Sequence, residues 1–502
     1  MRTTQTYSDD PVDLAEIRKY RDQEVTAGRW SPALPANFQL LPGMCVSPMF
    51  VVWQRDGDKE KARIVMDHSG NGLNDGISRE DAKVRYDDMH SFAQVLDDVR
   101  RSHPHEDLVL FKSDVSKAFL NLPAHPIWQL HQVVTVDGRF HLVRRLILGT
   151  RTSPRCWCSL SGLLNWAAWQ LGIPDLHDYM DDFFGWDFNR NLVLFHGKQR
   201  PHRQVQLLVF WDYIACPYDD KKQEHGTSLK IIGFWVDITR GSMSLSPDSI
   251  TLMVADISGF LAHPSRKPPL RDWQRLAGYL NWALNVLPWA RPALTEMYRK
   301  MRGKSISFRG ISINAEVKQD LTWFITVAEQ CIGIRFADAQ SWADSDADFV
   351  GWTDASNLGL SFVYAGNGFA YQLRPPVATA PKTDIFFREL LAILCLIHYA
   401  ASMSSPPRRI LIHSDSMDSV AVFNSLAASE SSHNSILLAV AEIVLRTGID
   451  VRVRHIAGKL NVRADLLSRL LFVDYGKQFP SDRVRSFEPP RELLPTRWRE
   501  CF

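Results

Sequence analysis

The chain predicts an α+β fold shared among several domains. Three observations predict it. Its 502 residues are too many for one core and suggest two to four domains. From about 45 to 240, short apolar runs alternate with helix-spaced patterns. From 349 to 470, two or three strands lead into a β-α-β-α series, the pattern of parallel pairing.

Taken in order, residues 1–44 are polar and proline-containing and read as an N-terminal arm. LVLF at 108–111 reads as a buried strand, and Ser153–Pro154 as a helix start with a cap followed by proline. That helix runs through CWCSLSGLLNWAAWQL toward Gly172 and Pro174. Residues 241–340 read as helical: SPDSITLMVADISGFLAH opens on a Ser/Asp cap, and LRDWQRLAGYLNWALNVL repeats apolar residues at helix spacing. The acidic segment SWADSDADF, 341–349, reads as a boundary, followed by a domain over 345–472. The stretch 473–502, with Pro480, Pro489, Pro490, Pro495 and several arginines, reads as an extended tail.

Composition narrows the class. Hydrophobic content of 45% and charged content of 23% are ordinary for a globular protein. A net charge of +2 does not by itself indicate a polyanionic partner, although local clusters can bind one. Sixteen Trp and 26 Phe supply large cores or stacking surfaces. The seven cysteines (45, 156, 158, 216, 331, 395, 501) are odd in number and scattered, so neither a disulfide framework nor a zinc pair is expected. A reducing intracellular compartment, cytoplasm or nucleus, is the simplest reading. The N-terminus MRTTQTYSDDPVDL lacks an apolar signal region, and LLAILCLIHYAA, at 12 residues, is too short to span a bilayer, so no membrane partner is expected.

Two sets of acids carry the chemistry. In LHDYMDDFFGW, 176–186, Asp181 and Asp182 interrupt an apolar run. Two adjacent carboxylates there read either as a surface turn or as part of a metal site. Asp114 ends the strand of DLVLFKSD, and three acids converging on one sheet edge would suit two divalent ions. In the C-terminal domain, Asp354 ends a strand in GWTDAS, Glu389 lies on the helix FRELLAILCLI, Asp415 ends RILIHSD and Asp465 lies on the last helix. These four acids are also enough for a pair of divalent ions.

YMDD at 179–182 resembles the catalytic box of reverse transcriptases. Its chance occurrence in a chain of this length is on the order of one in a thousand. Four further segments resemble that family in its order: KARIVMDHSGNGLN (61–74), DVSKAF (114–119), LGTRTSP (148–154) and DKKQEHGTSLKIIGFWVD (220–237). The C-terminal acids, with HIAGKLNVRADLLSR at 455–469, resemble a retroelement ribonuclease H domain. LAGYLNWALNVLPWARPAL looks like retrotransposons of the tyrosine-recombinase (DIRS) order. No aspartic protease motif, zinc module or recombinase domain is expected beside them.

The resemblance implies a right-hand polymerase followed by a ribonuclease H-like α/β domain: fingers and palm at 45–240, thumb and connection at 241–340. Asp114, Asp181 and Asp182 would hold two Mg²⁺ ions (Mn²⁺ is an alternative), and Asp354, Glu389, Asp415 and Asp465 would hold another pair. Phe119 would exclude a 2′-hydroxyl. Arg63 would pair with phosphate, and Lys222 (or Lys221) would protonate the leaving pyrophosphate. Gly149 would let backbone approach the nucleotide, and His455 would aid proton transfer. Template-primer, RNA–DNA hybrid and dNTPs are the implied partners. Plainer roles stay open: a strand ion pair for Arg63 with Asp67, core for Phe119, a solvated turn for the lysines, a strand end for His455. The arginines at 139, 144, 145, 151 and 155 read as a solvated face or as a phosphate track. Two whole-chain alternatives also stand, a decayed or domesticated nucleic-acid-binding copy and an RNA-dependent RNA polymerase; Phe119 and the second acid set oppose the latter.

Overall fold

The computed structural model describes residues 10–56, 59–84, 89–330, 333–339, 342–374, 383–494 and 499. Residues 1–9 of the expected arm, Gln340 and Ser341 at the expected boundary, Cys331, Cys501 and Pro495 lie outside them. Helix and strand are mixed throughout, and the chain divides into two compact units, residues 1–232 and 233–502. The five described cysteines are free. Among the described residues, no helix is long and apolar enough to cross a membrane.

In the first unit, much of the expected arm is a helix, α1 (Pro11–Thr26), started by Asp10, whose side chain accepts the Val12 N–H at 2.7 Å. Periodicity does not reveal it because it buries little beyond Ile17 and Glu24. Ile17 and Trp30 pack with Met49 and Met66 from the ends of an antiparallel pair, β1 (Met49–Asp56) and β2 (Lys59–Met66).

Next come α2 (Met89–Ser102), β3 (Leu108–Asp114), α3 (Ala118–Asn121) and α4 (Ser153–Gln170). They are followed by β4 (His177–Tyr179), β5 (Asp182–Phe188), β6 (Leu192–Phe195), β7 (Lys198–Pro201), α5 (His202–Tyr213) and β8 (Glu224–Gly226). Strands β8-β3-β5-β4 form one antiparallel sheet. Its faces follow the two-residue period of a strand. Phe183 meets Trp211 of α5 at 5.2 Å between ring centroids, and its neighbour Phe184 meets Phe92 of α2 at 5.0 Å. Trp157, Leu164 and Ala168 of α4 complete the core that holds Phe183. Both faces are therefore covered, and Asp114, Asp181 and Asp182 at the strand ends are only partly exposed.

The second unit begins with β9 (Phe234–Asp237) and β10 (Ser242–Leu245), paired to each other; β10 also pairs with β11 (Ile334–Arg335). Between β10 and β11 lie α6 (Pro247–Leu261), α7 (Leu270–Ala283), α8 (Thr295–Met301) and α9 (Ala315–Gln330). Then follow β12 (Phe349–Ala355), β13 (Gly359–Tyr364), β14 (Asn367–Gln372), α10 (Ile385–Ala401), β15 (Arg409–Ser414), α11 (Met417–Ser425), α12 (Ser431–Thr447) and β16 (Asp450–His455). Then come α13 (Val462–Ser468), α14 (Phe472–Gln478) and β17 (Arg483–Ser486), so part of the stretch that reads from sequence as an extended tail is helix and strand.

The six-stranded sheet runs β16-β15-β12-β13-β14-β17. β12 to β14 are antiparallel, whereas β15 and β16 join β12 in parallel and β17 joins β14 in parallel. Leu390, Leu394 and Ile397 of α10 pack with Ile436 and Val440 of α12 against Phe362 and Ile412. A smaller cluster seats Ala464 and Leu467 of α13 on Val363 and Ala370. Helix α12 also reaches the helical segment: Asn434 donates to the Pro292 carbonyl at 3.0 Å.

Asp320, on α9, is buried with one carboxyl oxygen unpartnered. Burial first, then the charges of Glu296 and Glu316, push its carboxyl up to about 7. Folded, it keeps its proton to about pH 7; unfolded, it loses it near the ordinary carboxylate value. Between those points the folded state binds more protons, so this group's contribution to stability falls as pH rises. We expect Asp320→Asn to stabilise the protein by about 1–3 kcal/mol at about pH 8 and to have little effect near pH 4. Urea unfolding at both pH values measures it.

Candidate active sites

The first acid cluster is set by strand register. In β3 and β5, Asp114 stands directly opposite Asp182. β4 and β5 pair Tyr179 with Asp182, which leaves a two-residue turn, Met180–Asp181. Met180 has φ 57°, whereas Asp181 does not have positive φ. That combination at the first loop position is the type II′ hairpin, usually given to glycine. A non-glycine residue there costs of order 1–3 kcal/mol and persists only where the surroundings impose it.

Two hydrogen bonds impose it. The Trp157 indole N–H donates to the Met180 carbonyl at 2.7 Å, and the Val115 N–H donates to the Asp181 carbonyl at 2.9 Å. Trp157 is fully buried on α4, so a core side chain reaches up to hold the turn. Asp178 fixes the same helix to β4, accepting from Ser161 at 2.7 Å and Asn165 at 2.9 Å.

Asp181 and Asp182 resist ionisation. Burial, then the charge of Asp114, raises the Asp181 carboxyl, against the backbone hydrogen bond and the charges of Lys222 and Arg63. Burial pushes Asp182 up to about 6; Lys112 opposes this, while Asp181, Asp114 and Glu224 add to it. Lys222 lies beside them, its Nζ 3.1 Å from Asp114 Oδ1.

The other residues singled out from sequence for this site lie in the same unit. Arg63 is exposed on β2 opposite Val52, and its charge reaches Asp181. Asp67 instead accepts the N–H groups of Ser69 and Gly70, both at 2.9 Å. Phe119, on α3, is partly buried and packs on the core beneath the sheet. Gly149 has φ 140°, and a Cβ there would lie 2.5 Å from the Met66 carbonyl oxygen. The close approach the structure shows at Gly149 is thus to its own chain, where Asn74 donates to the Gly149 carbonyl at 2.8 Å. Arg139, Arg145, Arg151 and Arg155 each donate to a main-chain carbonyl, of Leu34, Asn121, Ile77 and Asp81 respectively.

The second cluster lies in the six-stranded unit. Carboxylate oxygens of Asp354, Glu389 and Asp415 lie within 4.8 Å of one another, from β12, α10 and the end of β15. Burial, then the charges of Asp354 and Asp415, pushes Glu389 up to about 9; a backbone hydrogen bond from Ala355 opposes it. Burial pushes Asp354 up to about 7. The hydrogen bond from Ser468 opposes this, and Asp415 and Asp465 add to it. Glu389 Oε2 is buried with no partner. Three crowded carboxyls with an orphaned oxygen fit a divalent cation, which would favour the charged forms of Asp354 and Glu389 and fill the vacant acceptor.

Asp465 is not among the three. It accepts Arg469 Nε at 2.6 Å, although its charge is felt at Asp354. His455 is exposed at the end of β16, paired with Ser414, the residue before Asp415. Ser468 emerges only from the fold: its hydroxyl donates to Asp354, and Asp354 lies 114 residues away in sequence.

No protein-family profile matches the chain, and no curated protein matches it. Solved structures do. A foamy viral protease–reverse transcriptase dRH in complex with double-stranded DNA aligns at 15% identity and a TM-score of 0.48, over 89% of this chain and 70% of that one. A foamy viral protease–reverse transcriptase in complex with RNA/DNA hybrid aligns at 14% and 0.47, over 90% and 55%. Another, with double-stranded DNA, aligns at 15% and 0.47, over 90% and 84%. At such identities and TM-scores these likenesses assign no residue a role.

Trp157→Phe removes the donor to the strained turn while keeping an aromatic ring. We expect a loss of about 1–3 kcal/mol in urea unfolding. For the second cluster, we expect millimolar Mg²⁺ to raise the melting temperature over that in EDTA. Glu389→Gln should raise the EDTA melting temperature by relieving the crowding and should blunt the Mg²⁺ response.

Proposed function

We propose that the protein is an RNA-directed DNA polymerase that also cuts the RNA of an RNA–DNA hybrid. The observation that carries it is the register placing Asp114 opposite Asp182, with Asp181 in the turn between strands and Lys222 beside them. Residues 45–240 would be fingers and palm, 241–340 thumb and connection, and 345–472 the nuclease, with 473–502 as its tail. Motif resemblance supports a retrotransposon origin, of the DIRS type.

Divalent ions held by Asp114, Asp181 and Asp182 would acidify the primer 3′-hydroxyl and offset charge on the triphosphate. Mg²⁺ suits an all-oxygen ligand set, as does Mn²⁺. The chain's own part is to hold these carboxylates on a rigid hairpin, so that little reorganisation accompanies the reaction. Arg63 offers a planar fork to phosphate oxygens of the incoming dNTP. The Phe119 ring, anchored in the core, would sit under the sugar and select deoxyribose. Lys222 would give a proton to the departing pyrophosphate. Gly149 keeps the backbone of its loop folded tightly against Met66.

At the second site, Asp354, Glu389 and Asp415 would hold ions for hydrolysis of the RNA strand. Asp465 would join once released from Arg469, and His455 would move protons at the rim. One chain would then copy RNA and clear the copied template.

Primer extension with dNTPs on an RNA template tests the first activity. We expect metal-dependent extension, and a loss of at least about 10²-fold in Asp181→Asn. Asp354→Asn should abolish hybrid cleavage and leave extension intact. No extension by the wild type, or loss of both activities in Asp354→Asn, sinks the reading.

A further inference from the structure

A knot of charge lies beneath the turn that carries Lys222. Its centre is Arg200, near the end of β7, with a side chain only 1% exposed. Nη2 donates to Asp220 Oδ1 at 2.9 Å and to the Asp220 carbonyl at 3.1 Å. Nη1 donates to the Gln223 carbonyl at 3.2 Å. The guanidinium thus grips the short 3₁₀ turn Asp220–Lys222 at its start and just past its end.

Asp220 is held from outside as well. Lys198 Nζ lies 3.1 Å from its other oxygen, and a His196 ring nitrogen lies 3.6 Å away. Gln204, fully buried on α5, ties the neighbouring strands: it donates to the Lys112 carbonyl at 3.1 Å and the Glu224 carbonyl at 3.2 Å. These contacts set the height of the turn against β3, whose last residue is Asp114.

Closing the turn does not require the arginine. The Asp219 side chain already accepts the Lys221 N–H at 3.0 Å, and the Asp219 carbonyl accepts the Lys222 N–H at 3.0 Å. Burying a guanidinium is costly unless geometry rewards it. The reward visible here is placement, since Lys222 meets Asp114 two residues beyond Asp220.

We infer that Arg200, acting through Asp220, is a positioning residue that holds the Lys222 ammonium at the Asp114–Asp181 cluster. What the ammonium does there rests on the proposed polymerase reading. The 3′-hydroxyl gives its proton to solvent as the bond from its oxygen to the α-phosphorus forms, and the bond from that phosphorus to the pyrophosphate oxygen breaks. Lys222 passes its proton to that oxygen and takes another from solvent.

Asp220→Ala tests the clamp from its exposed end, where folding is least at risk; Arg200→Lys is the conservative partner variant. The first readout is acylation of lysine amines by a water-soluble ester, quantified by mass spectrometry. Asp220→Ala should raise labelling of Lys222 several-fold, with lysines outside the knot unchanged. The second is single-turnover addition of one dNTP. Asp220→Ala and Lys222→Ala should each lower the maximal rate about tenfold, with dNTP affinity within about twofold. The double variant should be no slower than Lys222→Ala alone, and Arg200→Lys should fall between wild type and Asp220→Ala. Unchanged labelling of Lys222, or rate losses that multiply in the double variant, overturns the inference. A wild type that extends no primer overturns the polymerase reading, and the labelling still decides the clamp.

Discussion

Like charges crowded out of water repel, and both acid clusters rest on that constraint. In each, the backbone fixes the carboxylates first, and nearby cations and hydroxyls offset their mutual repulsion only in part. At the first, antiparallel register and a turn with a left-handed methionine set the spacing. At the second, a strand, a helix and a neighbouring strand end meet over a packed core. Burial is the largest cause of every raised carboxyl in the two clusters. The surrounding apolar packing is therefore part of the electrostatics, because it makes a counter-cation worth binding.

The two clusters are stiffened differently. The first relies on single long reaches from the core to a turn, such as Trp157 to Met180. The second relies on serine hydroxyls that stitch α13 to the sheet. Ser361 donates to the Ala464 carbonyl at 2.7 Å, and Ser356 donates to the Ser468 carbonyl at 2.7 Å. Small hydroxyls let the helix lie close to the strands, and Ser468 then meets Asp354 directly.

What could be read from sequence follows from range. The acids of both clusters, the strand LVLF, the helix begun by Ser153–Pro154 and the parallel pairing of β15 and β16 all announce themselves in local pattern. Helix α1 does not, because few of its residues are buried and its apolar stripe is faint. Trp157, Arg200 and Ser468 read as ordinary core, strand and helix residues. Their partners lie 23, 20 and 114 positions away, and no local window pairs them. At Gly149, where the sequence suggests close approach to a nucleotide, the approach seen is to the Met66 carbonyl, a partner 83 residues distant that no local window shows. The arginine series reads from sequence as a solvated face or a phosphate track; four of its members, Arg139, Arg145, Arg151 and Arg155, donate to main-chain carbonyls that no local pattern signals.

The last strand, β17, has a consequence for where the six-stranded unit can be cut. Arg483 to Ser486 pair in parallel with Asn367, Gly368, Phe369 and Ala370 of β14, with every β17 residue exposed. β17 adds nothing to the apolar core, yet it occupies the hydrogen-bonding groups of β14. A chain shortened after Ser468 would keep all four C-terminal acids and still bare that edge, a template for pairing with another molecule. Arg483 and Arg485 on the outer rim discourage such pairing in the longer chain. Solubility of the isolated unit thus depends on a strand remote from its chemistry.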